Sequence, residues 1–293
     1  MLNAPRSANL NQSRDGTGIA GRDRPSGSGL EAEIAQQQVP PGHVLAWWLG
    51  GSGFVFKTPA GTQIYIDPYL SNIVEGIFGS RRGFPAPIEP ERVRGDAIIS
   101  THWHEDHLDP GAIPVIARNS PTTRFIMPPT ATSHALSWGV PRDRVIALTA
   151  GQSLAVGDVT VSAVPARHEA GIPGWEVPDA VGIVLEAGGL KVYHTGDTEY
   201  DVRLRNLKER GFDVVIACIN GVTGNMDAHE AALLAWQLGA STAIPMHHLL
   251  WAGNSYSAAT LDPRLFAETY RKLGGEGRVV LPEVGGLIDL TRP

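Results

Sequence analysis

The chain has 293 residues, 42% of them hydrophobic and 18% charged, which is globular usage for one large domain or two ordinary ones. A net charge of −6, with 10 histidines counted neutral, argues against a general binder of large nucleic acids, and no apolar run approaches the ~18 residues that would span a bilayer. One cysteine, Cys218, permits neither an intramolecular disulfide nor a thiolate zinc knuckle, so a cytoplasmic enzyme without a membrane partner is the expectation.

Residues 1 to 29 are rich in Gly, Ser and Asn, lack aromatic residues and carry only Leu2, Leu10 and Ile19 as large aliphatics. Such a stretch buries too little apolar surface to offset its ordering entropy, and it reads as a disordered tail ahead of one domain spanning residues 30 to 293. Leu30 to Gln38 predicts a short helix ended by Pro40 and Pro41. Strand patterns follow at Val44 to Leu49, Phe54 to Lys57, Gln63 to Asp67 and Asp96 to Ser100, then a helix near Pro110 to Arg118. Further strands are expected at Arg124 to Met127, Val145 to Leu148, Ser153 to Val156 and Val159 to Val164. A hairpin, Val181 to Glu186 with Leu190 to His194, turns at Gly188-Gly189. Beyond it, strands (Asp213 to Cys218, Ser241 to Met246, Arg278 to Leu281) alternate with helices (Asp227 to Leu238, Pro263 to Leu273). Asp227 with Glu230 is a capping-box pattern, and Gly239 a C-terminal stop. A β-rich first part and a β/α second part predict two packed sheets with helices outside. No short-period repeat is visible.

The strongest chemical signal is Thr101-His102-Trp103-His104-Glu105-Asp106-His107-Leu108-Asp109, directly after a predicted strand. Four candidate metal ligands fall within six residues. Alternate residues leaving a strand can face one way, so His102 and His104 can share one ion, while Asp106 and His107 can face a second about 3.5–4 Å away. Imidazole and carboxylate donors suit zinc, manganese or iron. Further ligands are needed, and three strand ends offer them: His168, Asp197 after Gly196, and His247 or His248.

His102-x-His104-x-Asp106-His107 followed by His168, Asp197 and His247 resembles the metallo-β-lactamase superfamily of hydrolases. The resemblance implies a four-layer αββα sandwich, an α/β (α+β) fold, with the metal site at the rim between the sheets. Carried over by position, it implies that His102, His104 and His168 hold one ion, that Asp106, His107 and His247 hold the other, and that Asp197 bridges them. Two divalent ions follow, with zinc the first expectation and manganese or iron also compatible. Asp67 matches an aspartate that orients a ligand histidine. A narrower similarity, to the L-ascorbate-6-phosphate lactonase group, is carried by Gln36 to Gly42, Ala46-Trp-Trp-Leu-Gly50, Trp138 to Pro141, Val192 to Asp197, and Pro245-Met-His-His248 with Trp251. The chain departs from that group in its short segment 169–180 and in carrying His168.

The resemblance implies a lactonase-like hydrolase in which a metal-bound hydroxide attacks the carbonyl of a sugar or sugar-phosphate lactone. Asp106 is the candidate proton acceptor, and His248 the candidate substrate contact or proton donor. The alternative is a phosphodiesterase or nuclease reaction on a small phosphodiester at the same site. The partner is then a small-molecule substrate, and homo-oligomerisation is compatible with the resemblance. Arg81 and Arg82 read as a solvated Gly- and Pro-rich loop able to meet a phosphate, as could Arg167. His194 reads as structural or substrate-flanking. Trp47 and Trp48 read as sheet packing, and Cys218 as an inert buried thiol.

Overall fold

Every residue of Val44–Gly50 is buried, and its side chains divide by parity. Val44, Ala46 and Trp48 pack in one cluster with Ile183, Tyr193 and Val215, whereas Leu45, Trp47 and Leu49 join another with Leu30, Ile34, Ile113 and Phe125. Successive strand side chains point to opposite faces, so a strand apolar at every position needs cover on both. Here a second sheet covers one face and helices the other.

The computed structural model describes residues 29–168, 173–222, 224–248, 250–252 and 261–292. The first sheet runs β14 (Leu287–Leu290), β1 (Val44–Gly50), β2 (Gly53–Lys57), β3 (Gln63–Ile66), β4 (Ala97–Ile99), β5 (Arg124–Met127), β6 (Val145–Ala147). The second runs β13 (Arg278–Val279), β12 (Thr242–Met246), β11 (Val214–Cys218), β10 (Leu190–His194), β9 (Val181–Ala187), β8 (Val159–Pro165), β7 (Ser153–Val156). Pairing is antiparallel from β14 to β3 and parallel from β3 to β6. It is likewise antiparallel from β7 to β10 and parallel from β10 to β13. The two halves of the chain therefore share one plan, an antiparallel meander leading into parallel strands, although their sequences show no repeat.

Helices α1 (Leu30–Gln36), α3 (Ile113–Asn119) and α4 (Pro129–Ser137) cover the outer face of the first sheet. Helix α2 (Ile73–Phe78) lies in the β3–β4 connection, while α5 (Ala228–Leu238) and α6 (Pro263–Lys272) pack together and against the second sheet. The result is the expected four-layer αββα sandwich. Among the described residues no helix is long and apolar enough to cross a membrane.

Several expectations shift at element ends. Helix α1 stops at Gln36 because Gln37 is already extended, in the approach to Pro40 and Pro41. Helix α3 starts at Ile113 rather than Pro110, since Asp109 Oδ1 accepts the Gly111 and Ala112 N–H groups and forms a separate turn first. Helices α2 and α4, the 3₁₀ stretch Val202–Arg210 and strand β14 were not expected from the pattern. The N-terminus of α4 is held from a distance, with Thr130 N–H and Oγ1–H both donating to Asp179. Residues 1–28 of the expected tail lie outside the described residues, as does Glu169.

Candidate metal centre

Asp67 follows β3, His102 to His107 follow β4, His168 follows β8, Asp197 follows β10 and His247 follows β12. All leave the carboxyl ends of their strands, so residues far apart in sequence meet at one rim of the sandwich. Two backbone hydrogen bonds tie the sheets there, from Val181 N to Thr101 O at 3.1 Å and from His247 N to Gly51 O at 2.8 Å. Gly196 permits the close approach: at its φ of 61° a Cβ would stand 2.8 Å from Thr101 Cβ and 2.9 Å from Val181 O.

The first group is made of imidazoles alone. His104 Nδ1 lies 3.1 Å from His102 Nε2 and 3.1 Å from His168 Nε2. The remaining nitrogen of each ring decides the tautomer. His104 Nε2–H faces the Trp175 carbonyl at 3.2 Å, and His168 Nδ1–H faces the Gly224 carbonyl at 2.8 Å. Thr101 donates its hydroxyl to Asp67, so its oxygen accepts from His102 Nδ1–H at 3.1 Å. Each proton is thus committed outward, and three lone pairs converge with no hydrogen between them. Nitrogens ~2.0–2.1 Å from a common ion sit a little over 3 Å from one another, so these residues fit a divalent cation.

The second group mixes imidazole and carboxylate. His107 Nε2 lies 3.5 Å from Asp197 Oδ2 and 3.8 Å from Asp106 Oδ1. His247 Nε2 lies 3.4 Å from Asp106 Oδ2 and 3.4 Å from Asp197 Oδ2. Asp67 Oδ2 accepts His107 Nδ1–H at 2.8 Å, which turns Nε2 inward, where it is buried with no hydrogen-bond partner among the described residues. Asp197 also falls within 4.8 Å of His102 and His107, so its carboxylate stands between the two groups. All seven sequence-derived candidates are brought together.

Asp67 (φ 47°) and His247 (φ 61°) are the non-glycine residues with positive φ among the described residues, and both belong to this centre. Such backbones are disfavoured for side chains with a Cβ and persist where surrounding contacts impose them.

Burial, reinforced by neighbouring imidazoles, holds His102 well below its ordinary pKa and His104 down to about 4, so both are neutral donors at pH 7. Burial disfavours charge on His107 and His247 too, but the carboxylates outweigh it. Asp197, Asp106 and Asp67 hold His107 well above its ordinary value, and Asp197 with Asp106 raises His247 to about 9. Against the same desolvation, His107 and His247 lower Asp106 to about 2 and keep Asp197 well below the carboxylate range.

Other sequence candidates resolve differently. Arg82 is 6% exposed rather than solvated: Nη1 donates to the Tyr69 carbonyl at 2.6 Å, and the guanidinium lies 4.8 Å from the Tyr69 ring centroid. Aromatic cover and a buried acceptor made a cation there tolerable, which the Gly- and Pro-rich context did not reveal. Arg167 is ion-paired with Glu199. His194 is structural, donating from Nε2 to the Ser52 carbonyl at 2.8 Å and accepting the Gly196 N–H at 3.1 Å. His248 is buried, lies tilted against Trp48 with ring centroids 4.8 Å apart and is pushed by burial to about 4. Cys218 is buried, its pKa pushed by burial up to about 12. Sequence reasoning missed Asn225, whose Nδ2–H donates to Asp197 Oδ2 at 2.7 Å, and Ser52, whose Oγ–H donates to Asp197 Oδ1 at 3.4 Å. Both sit in glycine-containing turns, Ser52 in Gly50-Gly51-Ser52-Gly53 and Asn225 after Gly224, and neither has a spacing that points to a metal centre.

Two facing sheets with converging imidazoles and carboxylates at the rim define a metal-binding sandwich. A family model described as "Beta-lactamase superfamily domain" matches residues 62–248. "Probable L-ascorbate-6-phosphate lactonase UlaG" of Shigella boydii is 27% identical over 282 residues, covering 83% of this chain and 79% of its own length. Igni18, described as a novel metallo hydrolase from the archaeon Ignicoccus hospitalis, superposes with a TM-score of 0.64 at 22% identity, covering 84% of this chain and 98% of its own. An isothiocyanate hydrolase from Delia radicum gut bacteria gives a TM-score of 0.64 at 20% identity, covering 83% and 98%. The chain belongs to the beta-lactamase superfamily. It is a hydrolase of the metallo-β-lactamase fold.

Proposed function

We propose that this centre hydrolyses the ring ester of a small-molecule lactone with two divalent ions, zinc being the first candidate. The observation that carries the reading is the convergence of three imidazole lone pairs, with His104 Nδ1 3.1 Å from each of the other two, coupled through Asp197 to a carboxylate-bearing second group. Similarity at 27% identity to a relative named as a lactonase supports the substrate class. His102, His104 and His168 would hold one ion, Asp106, His107 and His247 the other, and Asp197 would bridge them. Ions held there supply Lewis acidity, lowering the pKa of water toward 7 and neutralising charge that develops on substrate oxygen.

The protein's own part is placement. Asp106 has the only side chain of the seven ligand candidates above 4% exposure, at 20%, so its carboxylate is the one most open to solvent. Held at about 2, it stays ionised and orients a water by accepting its hydrogen bond; keeping that proton is disfavoured. Asn225 and Ser52 fix the two oxygens of Asp197. His248, neutral and buried beside Trp48 with both ring nitrogens shielded from solvent, is unsuited to giving a proton to substrate. Cysteine usage supports a cytoplasmic setting.

The test is a panel of lactones and small phosphodiesters offered to metal-loaded protein. Lactone turnover that falls below a tenth of wild type in His102→Ala and in Asp197→Ala supports the reading. Turnover of phosphodiesters alone, or both variants retaining more than a tenth, overturns it.

A further inference from the structure

The wall beside His104 is aromatic. Trp175 stacks on the His104 ring with centroids 4.5 Å apart and planes inclined by 28°, and its carbonyl faces His104 Nε2. Phe78, at the end of α2, meets Trp175 edge-on at 4.9 Å. Trp103 flanks the other side, edge-on to Trp175 at 6.3 Å, with its Nε1–H donated to the Glu176 carbonyl at 3.1 Å. Ile77 and Phe78 remain 48% and 47% exposed, so α2 presents an apolar end to solvent beside the candidate ligands.

The sequence neighbours of this wall carry three carboxylates against one exposed arginine, Arg81. Glu75 lies on α2, Glu105 next to His104 and Glu176 next to Trp175. Of the three arginines that the sequence offered for an anion, Arg82 is turned inward and Arg167 is ion-paired, leaving Arg81 on the surface. A phosphate brought here would meet carboxylates, whereas an apolar ring or chain would cover Phe78, Ile77 and the Trp175 face.

Building on the lactonase reading, we propose that Phe78 and Trp175 are specificity-determining residues that select lactones bearing an apolar ring or alkyl substituent over phosphorylated ones. Trp175 joins them to the ligand set, holding His104 by its carbonyl and offering its ring to the substituent.

Metal-loaded full-length protein is offered γ-butyrolactone, its γ-phenyl derivative and its γ-phosphomethyl derivative. Turnover and calorimetric binding of the three lactones and their ring-opened hydroxy acids are measured in parallel. The phenyl compounds should bind on the order of tenfold or more tighter than the unsubstituted ones, with no such gain for phosphate. Phe78→Ser, at an exposed position, should bring the phenyl-to-unsubstituted ratio toward one. Trp175→Phe should keep the preference and Trp175→Ser lose it. Tighter binding of the phosphorylated compounds, or a phenyl preference that survives Phe78→Ser, overturns the proposal. If no lactone is turned over, the lactonase reading fails by itself. The binding ranking then still decides the wall, and equal affinities for the three hydroxy acids overturn it.

Discussion

Asp67 and His107 are joined by a 2.8 Å hydrogen bond between two side chains that are 0% and 1% exposed. Asp67 makes it from a left-handed backbone and also accepts the Thr101 N–H at 2.8 Å and hydroxyl at 2.7 Å. One carboxylate therefore sets the tautomer of His107 and, through Thr101, that of His102. It links the two halves of the centre without belonging to either.

Replacing it should loosen both halves. Asp67→Ala is expected to weaken divalent-ion affinity by roughly 10–100-fold, the usual cost of losing a group that orients a ligand histidine. Competition against a chromophoric chelator measures this. An unchanged affinity would show that His102 and His107 are oriented by packing alone.

Metal loading should release protons. His247, raised to about 9, and His107, held well above its ordinary value, both carry a proton at pH 7.5 without metal, and each must lose it to coordinate. Calorimetric titration in buffers of different ionisation enthalpy should report release of at least two protons per chain, these two plus any lost by water whose pKa the ions lower toward 7. His102 and His104, already neutral, contribute none.

The metal-free protein should be most stable near pH 6.5. Folding pushes His104 from the ordinary imidazole value of about 6.5 down to about 4, so below pH 6.5 the unfolded chain binds more protons and stability declines until about pH 4. His104 alone accounts for about 3 kcal/mol of that loss, and His102 adds to it. His247 shifts the opposite way, so its contribution is complete below 6.5 and is lost as pH rises through about 9. Melting temperature against pH, in chelator, should trace a maximum between these limbs. A monotonic rise from pH 4 to 9 contradicts it.

Gly196→Ala should damage the rim. The added methyl would clash with Thr101 and the Val181 carbonyl at a φ of 61°. A loss of roughly 1–3 kcal/mol is expected, several degrees in melting temperature, together with weakened metal affinity because Asp197 is next in sequence. Retention of both would place the sheet contact elsewhere.

What the sequence disclosed, and what it did not, follows from the range of each signal. The capping box of α5 is local, and Asp227 and Glu230 make both of its reciprocal bonds as the spacing predicts. The ligand motif is local too, with His102 to His107 in one run. Helix α4 depends on Asp179, and β14 on pairing with β1 across most of the chain, so neither leaves a trace in its own composition. Arg82 looked like loop surface because nothing in Gly- and Pro-rich neighbours announces the Tyr69 and Phe84 rings that cover it. Asn225 is the sharpest omission. Its bond to Asp197 exists only because β10 and the turn before α5 meet in space.

Seven side chains are proposed to hold two divalent ions. Metal content per chain, measured by mass spectrometry on protein purified without chelator and again after His168→Ala, tests it most directly. Two equivalents in the native chain and one in the variant are expected, because His168 lies in the imidazole group alone. A native content of one or none, or an undiminished content in His168→Ala, would contradict it.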